Sequence, residues 1–413
     1  MKCNKSCLLV HLTLVLMTLC STLVFASERV IFAFPADGSR GSVPAGGLIS
    51  DAAGHLYGTT ESGGAFGYGS VFKLSFENGT WTDDLLYSFK GAPDDGSGPE
   101  SALLLDAAGN LYGTTAGGGP SSNSGTVFKL APNGSGGWTK TLLHAFNGKD
   151  GSLPVLAPLV SDARGNLYGV TQGYCYRSFC GNGTVFELSP QQNGSWSFKV
   201  LHSFGYTGQP DAGVIFDKAG NLYGTTTYGG PLICFGSGCG TVFKLTHVAN
   251  TWKFATIHTF NYSNGAYPQG NLIMDSAGNL YGTTLGGDNT YNGGVAFKLS
   301  PTKTGWSETV LHAFGAPGDG SEPSSLVFGA SGHLFGTVPI SANANYAAQN
   351  GYVFELSRQA NGTWSESVVY AFPNTNVAPV PNSNLIWNTS RTALIGTSGP
   401  YSDPAGAVYE VTP

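Results

Sequence analysis

The residues able to do chemistry sit in loops. Four cysteines form two CxxxxC pairs, Cys175 with Cys180 and Cys234 with Cys239. Four thiols allow three pairings, and in an oxidising compartment the local ones are expected, each closing a small ring worth roughly 2 kcal/mol. A four-thiolate zinc site across both loops is the alternative, although neither spacing is the usual CxxC. Tyr68, Tyr174, Tyr176, Tyr228, Tyr291, Tyr346 and Tyr401 stand among Asn, Ser and Gly, while Asp37, Asp95, Asp150 and Asp319 each precede a glycine. Tyrosine gives rigid amphipathic contact area and its small polar neighbours adapt around it, a composition suited to stacking against sugars. Cleaving a sugar chain would need two carboxylates, or a Tyr with a base, at one locus. Asp94 with Asp95, or Asp288, lie in suitable loops, but nothing in the sequence pairs them. His144, His202, His258 and His312 occupy a slot that elsewhere holds Phe32, Tyr87 and Tyr370, so they read as packing and hydrogen-bonding groups. No HExxH spacing occurs, and no catalytic residue, metal or cofactor is expected.

The elements that position these residues repeat. Leu56-Tyr57-Gly58-Thr59-Thr60 recurs at Leu111, Leu167, Leu222 and Leu280, and more loosely at Leu334 and Leu394, at intervals of 55, 56, 55, 58, 54 and 60. GSVFKL at Gly69 recurs at Gly125, Gly183, Gly240, Gly294, Gly351 and Gly406. A third mark ends at Phe34, Phe89, Phe146, Phe204, Phe260, Phe314 and Phe372. Three marks agree on seven units, each long enough for four short strands. In the second unit these are SALLLD (Ser101 to Asp106), NLYGTT (Asn110 to Thr115), GTVFKL (Gly125 to Leu130) and a longer segment from Trp138 to Phe146. Asp106 and its equivalents Asp51, Asp162, Asp217 and Asp275 stand three residues before a turn glycine, where a carboxylate holds backbone N–H groups.

The strands do not alternate cleanly between apolar and polar residues, as expected of sheets covered on both faces. The fold predicted is all-β, a seven-bladed propeller of four-stranded antiparallel blades. Small residues lead into SALLLD and its equivalents, which places that strand at the crowded axis. The chain begins with an outer strand alone (Arg29 to Phe34) and finishes with three inner ones, so the N-terminal strand should complete the last blade, one plus three. With that order, the second-to-third loops and the connections between blades share one face, which collects the loop tyrosines and the Asp-Gly pairs.

Composition agrees. Glycine (61) and proline (22) make up about a fifth of the 413 residues, which defeats long helices. With 12% aromatic and 41% hydrophobic residues the chain can bury a core, so disorder is excluded. Nineteen basic against 25 acidic residues give no phosphate-binding surplus, and nucleic acid is not an expected partner. Residues 1–26 read as a secretory signal, with Lys2 and Lys5, an apolar run from Leu8 to Phe25, and Val24-Phe25-Ala26 before the cut. An uncleaved anchor is the alternative. Cleavage takes the formal net charge from −6 to −8 and leaves residues 27–413 as one domain without a further membrane span.

The motif GNLYGTT, followed by Gly-Gly and then GTVFKL, resembles the Gloeo/Verruco tandem-repeat family of exported bacterial proteins, the choice-of-anchor group. The likeness spans the whole mature region and loosens in units six and seven, where Phe335 and Ile395 replace Tyr. It implies an exported propeller and supplies no activity. The expected product is a secreted, periplasmic or extracellular monomer that binds polysaccharide or a surface glycoconjugate through the Tyr-rich face without catalysis. A polysaccharide hydrolase or lyase on the same face is the alternative, and a protein-binding or structural envelope component is the third reading.

Overall fold

The computed structural model describes residues 26–413 except 121–122, 174, 177–178, 181–182, 206–207, 232–233, 235, 250, 289, 318, 342–350, 374–379, 382 and 400–404. The side chains of 175–176, 179–180, 205, 340–341 and 380 are likewise outside the description. Tyr174, Tyr346 and Tyr401 therefore fall beyond the described residues, as do the side chains of Tyr176, Cys175 and Cys180. No helix among the described residues is long and apolar enough to cross a membrane.

Among the described residues seven antiparallel blades follow one another around a ring, six of four strands and the seventh of four with Val380–Pro381 added beside Leu394–Gly399. Blade 2 is typical, running Leu104–Leu105, Leu111–Thr115, Thr126–Pro132 and Trp138–Ala145 from axis to rim. Blade 7 takes Ile386–Trp387, Leu394–Gly399 and Ala407–Thr412 from the C-terminus and Ser27–Ala33 from the N-terminus, with Ser27 opposite Thr412 and Ala33 opposite Ala407. The innermost strands are shorter than the sequence predicts. Only Leu104–Leu105 of SALLLD keeps ladder pairing, because the residues before it are drawn sideways into the ring. The Ser101 carbonyl accepts Thr59 Oγ1 of blade 1, Ser101 Oγ meets Thr114 Oγ1, and Thr114 Oγ1 donates to the Pro154 carbonyl of the next connection. These bonds satisfy polar groups buried at the axis and tie blades 1, 2 and 3 to one another.

Seven buried apolar clusters lie at the seven blade interfaces. That between blades 1 and 2 contains Tyr57, Val71, Phe89, Leu103, Leu111 and Phe128, and that between blades 7 and 1 contains Ile31, Phe34, Leu48, Phe72, Ile395 and Val408. Each cluster centres on two rings, the Phe that ends one outer strand and the Phe in the third strand of the next blade. Phe34–Phe72, Phe89–Phe128, Phe146–Phe186, Phe260–Phe297, Phe314–Phe354 and Phe372–Tyr409 have centroids 5.0–5.3 Å apart, mostly edge to face. The third-strand ring lies across the glycine of LYGTT. A Cβ on Gly113 would stand 2.7 Å from Phe128 Cζ, so any other residue there collides with the core. The glycine before each third strand has a different reason. Gly69, at φ +92°, leaves room for Pro99, the proline that leads into the next blade.

One irregularity recurs in all seven blades. Between the third strand's Val and Phe (Ala296 and Phe297 in blade 5) the outer strand carries an extra residue, among them Leu86, Leu143, Leu201, Ile257 and Leu311. Such a bulge bends its strand and increases its twist. The residue that follows, Tyr87 or one of the four histidines, is thereby carried towards the adjacent blade.

Candidate functional site

The loop face holds the second-to-third loops and the connections between blades, as expected from the strand order. The opposite face is built of turns. Asp106 Oδ1 accepts the N–H groups of Ala108 and Asn110, and Oδ2 accepts Asn110 Nδ2 and the Tyr112 hydroxyl. Asp51, Asp162, Asp217 and Asp275 hold corresponding tyrosines in the same way, so this series is structural.

The loop-face residues singled out from sequence divide into three groups. Asp95, Asp150 and Asp319 turn into the seams between blades. Asp95 is buried and accepts the Tyr87 hydroxyl, the N–H groups of Lys90 and Gly96, and the ammonium of Lys140 from blade 2. Although burial opposes ionisation, these donors hold its carboxyl below the usual range. Asp150 meets His144 Nε2 at 3.1 Å, whose ring stacks on Phe198 at 3.8 Å. Asp319 meets His312 Nε2 at 3.0 Å and accepts the Tyr352 hydroxyl at 2.7 Å. Asp37 alone of the four is exposed, its Oδ1 accepting the Ser39 N–H. The tyrosines are dispersed. Tyr68 and Tyr291, about half exposed, lie over Gly91 and Gly315 in blades 1 and 5, while Tyr228 meets Tyr267 edge to face at 5.7 Å. Cys234 and Cys239 form a disulfide beside Tyr228. The backbones of Cys175 and Cys180 pair directly across a two-stranded ribbon.

Two loci on this face concentrate chemistry. The first is the loop from Glu61 to Gly69 with the connection that leads into blade 2. Glu61 follows LYGTT, Phe66 is 53% and Tyr68 49% exposed, and the Tyr68 carbonyl accepts the Gly98 N–H. Glu100 lies back over Gly98, half-buried and close enough to Glu61 to sense its charge. Burial first, and then that like charge, push the Glu100 carboxyl up to about 7.

The second is a cleft of about 380 Å³ between blades 4 and 5, lined by Thr227, Tyr228, Cys234, Ser237, Tyr267, Gln269 and Leu285, none of them charged. Beneath it lies Asp211, only 3% exposed. Its Oδ2 accepts Thr227 Oγ1 at 2.6 Å and Gln269 Nε2 at 3.3 Å, and burial raises its pKa.

Glu61, Glu100, Phe66, Asp211, Tyr267 and Gln269 were not singled out from sequence. A signal existed. The residue after the leading proline reads Ala45, Glu100, Asp211 and Gln269 in units 1, 2, 4 and 5, and two acids stand out in that slot.

The architecture is shared with solved structures at low identity. A proposed 6-phosphogluconolactonase from Bacteroides uniformis aligns with a TM-score of 0.54 at 13% identity, over 88% of this chain and 95% of that one. A luciferin-regenerating enzyme (TM-score 0.45, 15% identity, 75% and 90% covered) and a gluconolactonase from Xanthomonas campestris (0.38, 12%, 70% and 78%) align less well. At such identity the likeness establishes the fold alone. No curated protein matches the sequence. The Gloeobacter/Verrucomicrobia repeat profile matches residues 21–231 and 135–348, and the chain belongs to that family.

Proposed function

We propose that the loop face cleaves polysaccharide by acid–base chemistry, as a hydrolase or lyase, at the locus of Glu61 and Glu100. The observation that carries this reading is the pair itself, two carboxyl groups on adjoining loops with one shifted to about 7. Carboxyl pairs whose environments drive their proton affinities apart are the working parts of glycosidic cleavage. Glu100 is suited to donate a proton to the glycosidic oxygen as the C–O bond breaks, and Glu61 to accept one from water. Phe66 and Tyr68 on the same loop offer exposed rings for sugar faces. The test is incubation with a panel of polysaccharides, reading new reducing ends and unsaturated products. Product release that disappears in Glu100→Gln and declines as pH rises through about 7 supports the reading. Release undiminished by that substitution overturns it.

A second reading rests on the Tyr228–Tyr267 cleft. Its uncharged lining and edge-to-face rings fit recognition of a neutral sugar without chemistry. Retention on a polysaccharide column without products, abolished by Tyr267→Ala, favours this non-catalytic module.

A further inference from the structure

Six of the seams present the same three positions with different chemistry: the bulge-displaced residue of one outer strand, a residue of the connection after it, and the residue two beyond the leading Trp of the next outer strand. Between blades 1 and 2 these are Tyr87, Asp95 and Lys140, and the ammonium balances the carboxylate. At two seams the third position is apolar, with Phe198 stacked on His144 and Phe254 on His202. Between blades 4 and 5, Asn264 replaces the acid and donates to Glu308 at 2.6 Å, leaving one carboxylate beside His258. At the ring closure Asp83 is met by Arg40 at 3.4 Å. The seam between blades 5 and 6 departs from this balance. It holds His312, Asp319 and Glu366, and Glu366 stands where blade 2 has Lys140.

We propose that this seam binds one divalent transition-metal cation through His312, Asp319 and Glu366. One ligand atom from each lies within 4.8 Å of the others. Among the described residues neither carboxylate has a Lys or Arg ion partner, and Glu366 Oε1 is buried without a hydrogen-bond partner. The surroundings orient the donors. Phe314 meets the His312 ring edge to face at 4.5 Å, and Asp319 Oδ1 accepts the Tyr352 hydroxyl and the Gly320 N–H. One imidazole nitrogen with two carboxylate oxygens suits Zn²⁺ or Mn²⁺, whereas Ca²⁺ takes six to eight oxygens. With metal–ligand bonds of about 2.0–2.2 Å the three groups must draw together, and the Glu366 carboxylate, with its Oε1 unpartnered, is the one able to swing. This rim site is separate from both loop-face loci.

Isothermal titration of tag-free, chelator-dialysed protein with Zn²⁺, Mn²⁺ and Ca²⁺ tests it. One equivalent of Zn²⁺ or Mn²⁺ is expected, with Ca²⁺ much weaker and the thermal midpoint rising as the ion is added. Glu366→Lys transplants the blade 2 charge arrangement, and should weaken binding by about 100-fold while keeping the metal-free midpoint. His312→Phe, which installs the residue type of Phe32, should do the same. Absence of binding at millimolar metal overturns the proposal, as does stoichiometric binding that persists in both variants.

Discussion

Replacing Lys140 by Met removes the ammonium from Asp95 while keeping most of the side chain's volume. Both groups are largely removed from water, with side-chain exposures of 9% and 2%. Breaking a buried pair by deleting one partner typically costs about 3–5 kcal/mol, because the remaining charge has lost its compensation. Asp95 retains the Tyr87 hydroxyl and two backbone N–H groups, which places the expected loss at the lower end, about 3 kcal/mol at pH 7. The pH dependence discriminates further. In the parent protein the Asp95 carboxyl is held below its ordinary value, so its contribution is present above the unfolded pKa and is lost as pH falls through the folded one. In the variant burial dominates and the folded pKa rises, so protonation relieves the penalty. The destabilisation should therefore shrink as pH falls from 7 to about 4. Urea unfolding at both pH values measures it, and Asp95→Asn with Lys140→Met should recover part of the loss. A pH-independent cost, or one below about 0.5 kcal/mol at pH 7, would refute the seam as a buried charge pair.

Three further outcomes are expected. Gly113→Ala drives a methyl into Phe128 and should destabilise by at least about 2 kcal/mol in urea, more than alanine at the open turn glycine Gly109, where strain comes only from φ +81°. Phe314→Ala empties the interface between blades 5 and 6 and should cost about 3–5 kcal/mol, read from the same unfolding curves. Glu100 has a folded pKa raised to about 7, so the folded state binds the extra proton and stability declines as pH rises from about 4.5 to 7. Glu100→Gln should flatten that slope, and a slope unchanged by the substitution would place the shifted carboxyl elsewhere.

The blade count, the strand order and the closing strand were legible because each is written in the sequence seven times or follows from which strand is left over. The reading of the outer-strand histidines as packing groups holds for His144 and His202, which stack on phenylalanines with their pKa lowered by burial. His312 likewise packs on Phe314 and hydrogen-bonds to Asp319, but its approach to Glu366 of another repeat follows a bulge, and no spacing within one unit encodes that meeting. Asp95 and Glu100 show the same limit. Each stands on the connection between two blades, yet one is drawn into the seam by a lysine of the following blade and the other is half-buried over Gly98, near Glu61. The direction of a loop side chain depends on what its neighbours in other blades offer.

The pairing of Ser27–Ala33 with Ala407–Thr412 has a mechanical consequence. Because Ser27 faces Thr412 at the end of the ladder where both segments leave the blade, tension between them loads the hydrogen bonds one at a time, starting from that pair. The same ladder pulled along its length would share the load over all its bonds. Force on the two ends therefore unzips the ring at a single strand, while the other six blades, each closed within its own stretch of chain, feel little of it. The joint that completes the circle is also its tear line.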